Sequence, residues 1–504
     1  MTRAQRLVLI ASILGSFVAF LDMSVANVAL PAISRDLGGG ISAQQWVSDS
    51  YLLTLGSFIL LAGSLSDLLG RKRVFAAGLI GFGVTSLLAA VAPTAAILIV
   101  ARALQGVAGA LLVPSSLAMI IANFSGPEQG KAIGTWTAWT GISFIVGPLL
   151  GGALVDLGSW RWVFAINVLP IGATLAVLRR VAPEPARAER SQVDWTGATL
   201  CALGLGGVIF GLIEAPAHGW RAPAIWLPLA GGVAAFAGFL IYERLASHPM
   251  LDLKLFRNRN FAVGNAATAA IYAGLSAFTF LLSVFLQQVA RYPATAAGLA
   301  LLPVTVLMFG LSPVAGRLAG KHGPRWFMTF GPLIGAVGFL MMLRMRAHTA
   351  YFTEMLPGVV VFGVGLSATV SPLTAAILGD IEQRHAGIGS AINNAIARVA
   401  GLLAIAAFGA ILAARTSTAL TGADVEVLGP RARTFLAEAR NRPLDTAVRP
   451  EGPDIGGADA RVVEGLLEDA SVSALHTGLL CMAGLLVAGG LISAAGIRNR
   501  KPAA

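Results

Sequence analysis

Charge is what this sequence has least of. Only 12% of its 504 residues are Asp, Glu, Lys or Arg, half the ~25% of an ordinary soluble domain. That scarcity excludes a water-soluble enzyme, a disordered tail and a coiled coil. Cysteine is nearly missing as well. Cys201 and Cys481 are the only two, and each lies inside an apolar run, so neither a disulfide framework nor a metal site is expected. No Gly-x-x-x-x-Gly-Lys-Ser/Thr stretch occurs, which leaves ATP-driven pumping without a phosphate loop. The six histidines lie mostly in loops and are not paired with a nucleophile, so a membrane hydrolase is not supported. Lys and Arg outnumber Asp and Glu by 36 to 25. They are scattered in short clusters rather than gathered on one face, which argues against nucleic acid as a partner. What the chain does have is apolar bulk: 56% hydrophobic residues, 59 glycines and a mean hydropathy of +0.76. It reads as a polytopic membrane protein with lipid as its surroundings.

A spanning helix needs about 20 mostly apolar residues. Fourteen runs qualify: 7–30, 46–66, 74–92, 95–122, 131–156, 161–178, 195–213, 224–243, 260–289, 295–320, 326–343, 352–378, 388–413 and 474–497. The first is too long for a signal-peptide core and carries Asp22 and Asn27, so it is expected to stay as a spanning helix rather than be cleaved. An even count puts both termini on one side. Loops on that side hold 21 Lys and Arg, against 6 in the short loops opposite, so both termini are expected in the cytoplasm. Segment 414–473, with seven arginines, ten acids and four prolines, is then an extracytoplasmic loop. It reads as a solvated hairpin, with a gating or substrate-capture role as the alternative and room for two short amphipathic helices.

The runs repeat. Gly63-Ser-Leu-Ser-Asp67-Leu-Leu-Gly70-Arg71-Lys72-Arg73 closes the second run, and 253 residues later Gly316-Arg-Leu-Ala-Gly-Lys-His-Gly323-Pro-Arg325 closes the tenth. The same offset carries run 1 onto run 9. Residues 1–180 and 260–504 therefore form two six-helix halves, and 181–259 is an insertion of two further helices. Two related halves around a midplane site are an alternating-access arrangement.

Polar residues inside the runs are few and specific. Arg102-Ala-Leu-Gln105-Gly106 places a cation and an amide on one face of run 4, where a charge is costly and functional by default; snorkelling to the interface is the bland alternative. At 1.5 Å per residue, Asp22 lies roughly 8 Å and Arg102 about 10 Å from the outer face of a 30 Å core. At matching depth, a buried pair is the least costly way to keep both charges. Desolvation and a nearby cation push a carboxyl's proton affinity in opposite directions, so small movements would let such a group take and release a proton. The bland alternative is that Asp22 only orients the first helix. In run 5, Ser143, Gly147 and Gly151 form a flat stripe permitting tight packing, and Pro148, beside the Gly151-Gly152 pair, bends the helix. Generic packing would also account for that stripe. Run 13 adds Asn393, Asn394 and Arg398.

Gly63–Arg73 resembles the Gly-x-Leu-Ala-Asp-Arg-x-Gly-Arg-Lys signature of the major facilitator superfamily, with Leu68 where the family usually has Arg. Leu21-Asp22-Met-Ser24-Val-Ala-Asn27-Val-Ala-Leu30-Pro31 is similar to the first-helix motif of its fourteen-helix drug:proton antiporters. The run 4 stretch resembles the family's Arg-x-x-Gln-Gly motif. Ser143–Gly152 resembles the antiporter signature Gly-x-x-x-Gly-Pro-x-x-Gly-Gly, with Ser for the first Gly. The polar residues of run 13 are similar to an Asn/Arg element of the same branch. Pro183–Arg187 is a faint echo of a sugar-porter motif, outweighed by the rest.

The resemblance implies the major facilitator fold and no enzymatic activity or cofactor. The expected function is secondary active export of amphipathic, cationic drugs in exchange for protons, across a bacterial plasma membrane and by a monomer. Asp22 and Arg102 would couple protons. Asp22, Asn27, Gln105, Asn393, Asn394 and Arg398 would face substrate. Gly63, Asp67, Gly70, Arg71, Lys72 and Arg73 would form a latch between the halves, with Gly63 admitting close helix approach. Ser143, Gly147, Pro148, Gly151 and Gly152 would form the antiporter hinge. A narrow-range exporter of one antibiotic, siderophore or metabolite is the competitor, ahead of a nutrient facilitator.

Overall fold

A computed structural model describes residues 1–181, 193–247, 249–379, 386–421, 428–439 and 457–499. The side chain of Asp67 and the loop bases Arg187, Arg190, Arg384, Arg500 and Lys501 lie outside the described residues. Among the described residues, fourteen helical spans are long and apolar enough to cross a membrane. In the first half they are α1 (Arg3–Leu37), α2 (Gly40–Leu69), α3 (Arg71–Ala90), α4 (Ala95–Asn123), α5 (Gly126–Leu157), and α6 (Arg161–Ala165) with α7 (Val168–Leu178), which share one span. The inserted pair is α8 (Trp195–His218) and α9 (Pro223–Leu245). The second half holds α10 (Arg259–Gln288), α11 (Ala294–Leu299) continued by α12 (Leu302–His322), α13 (Arg325–Met341), α14 (Leu356–Gly379), α15 (Ala386–Thr421), the short α16 (Pro430–Ala439), and α17 (Gly457–Gly496).

Ends are set by local chemistry. Thr2 caps α1 by accepting from the Gln5 amide while the Gln5 side chain accepts from the Thr2 amide, satisfying donors the helix itself cannot. Gly70 before α3 and Gly323 after α12 both take positive φ, 93° and 87°, a conformation that favours glycine. They are 253 residues apart, so the repeat holds at the level of backbone. Packing repeats too: α1 lies on α5 and α7 and α3 on α4, while α10 lies on α15 and α17 and α13 on α14. Outward positions such as Ile80, Val84, Leu87 and Leu88 of α3 are exposed leucine-like residues, a surface made for lipid rather than water.

The chain groups into two compact units. The first holds Met1–Gly38, Trp46–Val208 and Ala230–Leu253, and the second Gly39–Gln45, Ile209–Leu229 and Lys254–Ala504. Each of the inserted helices contributes one end to either unit. Within the first unit, Gly204 and Gly232 let α8 and α9 approach backbone to backbone: a Cβ on Gly232 would sit 2.6 Å from the Val208 nitrogen.

The expected loop 414–473 needs correction. α15 runs on to Thr421, α16 follows, and α17 begins at Gly457. Leu420, Leu428, Ala432, Leu436, Ala439, Val463, Leu467 and Ala470 close a small core of their own, with Phe435 against it. The cause is legible in the spacing: 432, 436 and 439, like 463, 467 and 470, mark one face of a helix. Of the charges in this segment, Arg431, Arg433, Arg461 and Asp469 are exposed, off that core. Leu436→Asp would bury an unpaired charge there. It is expected to open this cap and make the Arg431 and Arg433 bonds cut faster by trypsin, with the membrane-embedded fragments intact; unchanged cleavage would contradict a packed cap.

Candidate functional site

Four helical segments of the first unit converge on Asp22. The carboxylate is fully buried, and Arg102 of α4 is only 2% exposed. Arg102 Nη1 donates to Asp22 Oδ2 at 2.6 Å. Gln105 Nε2 donates to Asp22 Oδ1 at 2.9 Å, and Asn167 Nδ2 donates to the same oxygen at 2.7 Å. Arg102 also donates to Gln105 Oε1 at 2.6 Å and, through Nε, to the Val47 carbonyl at 3.2 Å. Ser86 of α3 accepts from Gln105 at 2.9 Å and from Asn167 at 3.3 Å. The guanidinium lies over the Tyr51 ring, 4.3 Å from its centre, a cation–π contact that strengthens where water is excluded. A buried ion pair persists only when its remaining donors and lone pairs are also met, and here nearly all are. The exception is Asn167 Oδ1, which is buried with no donor.

Glycines let these groups meet. A side chain at Gly106 would collide with Thr54 Oγ1 and the Tyr51 carbonyl, and one at Gly109 would come within 3.0 Å of Leu55. α2 can therefore lie against α4 and deliver Val47 and Tyr51 to Arg102. α5 packs on the other side of α1. A Cβ at Gly147 would sit 2.6 Å from the Ser24 Cβ and Oγ, and one at Gly151 3.0 Å from Val25 Cγ1. Ser143 is buried with its hydroxyl donating to the Thr140 carbonyl at 2.5 Å, Pro148 lies inside the helix, and Gly152 is buried. The stripe of α5 thus grips α1 two and three residues beyond Asp22.

The structure brings Asp22, Arg102 and Gln105 into one cluster. It leaves Asn27 outside it, half-buried five residues further along α1. Asp22 and Gln105 expose no surface, so neither presents an atom to a substrate in this conformation. Sequence reasoning missed Asn167, Ser86 and Tyr51. Asn167 stood in plain view as an amide inside an apolar run. It sits between α6 and α7, where the helix is interrupted.

In the second unit, Asn393 Nδ2 donates to Thr268 Oγ1 at 2.8 Å and to Asn265 Oδ1 at 3.1 Å, tying α15 to α10. Arg398 Nε donates to Asn394 Oδ1 at 3.1 Å. Of the expected latch, Arg71 donates to the Ala118 carbonyl at 3.1 Å and Lys72 to the Val181 carbonyl, both within the first unit. Arg73 is exposed, and Asp67's side chain is outside the described residues. Among the described residues, a Cβ at Gly63, where close approach is expected, would meet nothing within 4 Å. Its repeat partner Gly316 is the packed one, against Ser371.

Residues 12–405 match the profile of the Major Facilitator Superfamily. The chain belongs to this family. It is 34% identical over 422 residues to multidrug resistance protein Stp of Mycobacterium tuberculosis, covering 83% of this chain and 78% of that protein. It is 30% identical over 469 residues to the tetracenomycin C resistance and export protein of Streptomyces glaucescens, covering 93% and 87%. Among solved structures, a bacterial homologue of the human lysosomal transporter Spinster superposes with a TM-score of 0.66 at 15% identity over the whole of both chains. A D-xylose–proton symporter gives 0.62 at 13% identity over 98% of both. At such identities these two speak for the fold alone. As a Major Facilitator Superfamily member, the chain is a multi-pass membrane transporter of small molecules and not an enzyme.

Proposed function

We propose that the protein exports amphipathic drugs in exchange for protons, with Asp22 as the group that carries the proton. One observation carries this reading: a carboxylate buried in a membrane helix, held by Arg102, Gln105 and Asn167 and adjoining the segment of α1 that the α5 stripe grips. Relatives named for multidrug resistance and antibiotic export support the export direction. A shift of α1 along α5 would lengthen the contact to Arg102 and leave the carboxylate open to a proton. The donorless Asn167 Oδ1 is an acceptor available to a proton held in the cluster. Return of α1 would restore the pair and release the proton. A cationic substrate opposing the proton at this carboxylate would make the exchange obligatory. The bias of basic residues supports cytoplasmic termini in a bacterial inner membrane.

A second reading is favoured by one fact. Asp22 is already charge-compensated by Arg102, which suits a neutral or anionic compound and a narrower range. A susceptibility panel of cationic, neutral and anionic antibiotics in an efflux-deficient bacterial host separates the two. Protection concentrated on cations supports the first, and protection confined to one neutral or anionic class supports the second. Protection that survives an uncoupler would contradict proton exchange in either form.

The Gly70 turn and its bases remain a proposed conformational latch, with Asp67 as its acid. Asp67→Asn is expected to lower transport severalfold with little loss of protein from the membrane; near-normal efflux at matched expression would remove the latch.

A further inference from the structure

The inserted helices carry two acids that the transport reading does not use. Asp194 precedes α8, and its Oδ1 accepts from the Gly197 amide at 2.8 Å, a helix N-cap. Glu243 lies in the last turn of α9, and its Oε2 accepts from the Leu251 amide at 2.9 Å. Both side chains are more than nine-tenths buried, at 9% and 2% exposure. Their other oxygens, Asp194 Oδ2 and Glu243 Oε1, are buried with no donor among the described residues. Those two oxygens face each other across Gly197. Each lies within 2.6 Å of the point where a Gly197 Cβ would be, so they are within about 5 Å of one another. A Cβ at 197 would collide with both of them.

Two carboxylates this close, shielded from water, cannot both stay ionised. Something positive must sit between them. Among the described residues neither acid has an ion pair, and no cluster of three or more His, Cys, Asp or Glu exists to complete a metal site. Two oxygens fall far short of the six to eight that calcium takes. Among the described residues, the remaining groups facing the pair are neutral donors and a thiol: the Gly197, Met250 and Leu251 amides, and Cys201, one turn along α8 and in electrostatic reach of Glu243. Arg244, next in sequence, is exposed.

We propose that Asp194 and Glu243 form a proton-binding carboxyl pair that clasps the ends of α8 and α9. The single proton joins Glu243 Oε1 to Asp194 Oδ2. Position decides which acid holds it: Asp194 sits at the positive end of the α8 dipole and keeps its charge, while Glu243 sits at the negative end of α9 and keeps the proton. The clasp is closed while the proton is bound. Losing it as pH rises leaves two facing carboxylates, which repel and part the helix ends. This site is separate from Asp22 and stands whether or not Asp22 carries the exchanged proton.

The test is infrared spectroscopy of the full-length protein in lipid, following the carbonyl stretch of protonated carboxyls from acid to alkaline buffer. Wild type is compared with D194N, E243Q and the double variant. At neutral pH each single variant should lose the same one-carboxyl band, and the double variant should lose no more, because one proton belongs to the pair. Each amide supplies the hydrogen bond that the proton made, so the fold should survive. A hydrophobic carbodiimide, which modifies protonated carboxyls in apolar surroundings, gives a second measure on unaltered protein: peptide mapping should find the adduct on Glu243, fading as pH rises. The proposal is overturned if the neutral-pH band is unchanged in all three variants, or if single losses add to two carboxyls. It is equally overturned if the band emerges only when sodium and potassium are withdrawn, which would make a metal cation the occupant, or if no carbodiimide adduct forms at either acid.

Discussion

Asp22→Asn is expected to abolish proton-driven efflux and reduce a drug-resistant host to the susceptibility of its empty parent. The substitution keeps an acceptor for Arg102 but removes its counter-charge. Breaking a buried pair in this way costs about 3–5 kcal/mol, so lost stability must be told apart from lost coupling. The double variant Asp22→Asn/Arg102→Gln does that. It returns the cluster to neutrality and should recover much of the thermal stability and membrane yield, yet no transport. If efflux returned together with stability, Asp22 would be an orienting residue for α1 and the proton would travel elsewhere. Asp49 on α2 would then be the next group to examine, since its carboxyl is fully buried with neither oxygen bonded.

Gly147→Leu and Gly151→Leu should each eliminate efflux, whereas Leu150→Ala should leave it near normal. At Gly147 the first carbon of any side chain would already overlap Ser24, and at Gly151 it would press on the Val25 backbone. Overpacking of this kind costs about 1–3 kcal/mol, which a membrane helix can meet only by moving away. That movement would carry the Ser24–Val25 segment off α5 and disturb Asp22 a turn away. Leu150 lies off the stripe, on a half-buried surface. The readout is accumulation of a fluorescent substrate at matched protein level. Full activity in either leucine variant would reduce the stripe to ordinary packing.

The spans were legible because lipid demands long apolar runs and nothing else in the chain imitates them. The Asp22–Arg102 pair was legible for a related reason: two opposite charges at the same depth in antiparallel helices have few other places to go. Asn167 was less so, because an uncharged amide in a short run looks like a tolerated defect until the break between α6 and α7 aims it at the carboxylate. Gly63 and its repeat partner Gly316 look alike in sequence, yet among the described residues a Cβ meets a neighbour at Gly316 and none at Gly63. The cap was hidden by its own charge, since ten acids and seven arginines outweigh two apolar stripes in any average over the segment. Asp194 and Glu243 are 49 positions apart, and no local pattern announces that α8 and α9 bring them together.

The central claim, that the proton exchanged for substrate resides on Asp22, is tested most directly by proton release. Purified protein in weakly buffered detergent solution, with a pH indicator, is mixed with a transported drug at saturating concentration. Wild type should release protons into the medium in proportion to protein, and Asp22→Asn none, even where tryptophan fluorescence reports that the drug still binds. Release from Asp22→Asn equal to that from wild type would contradict the account.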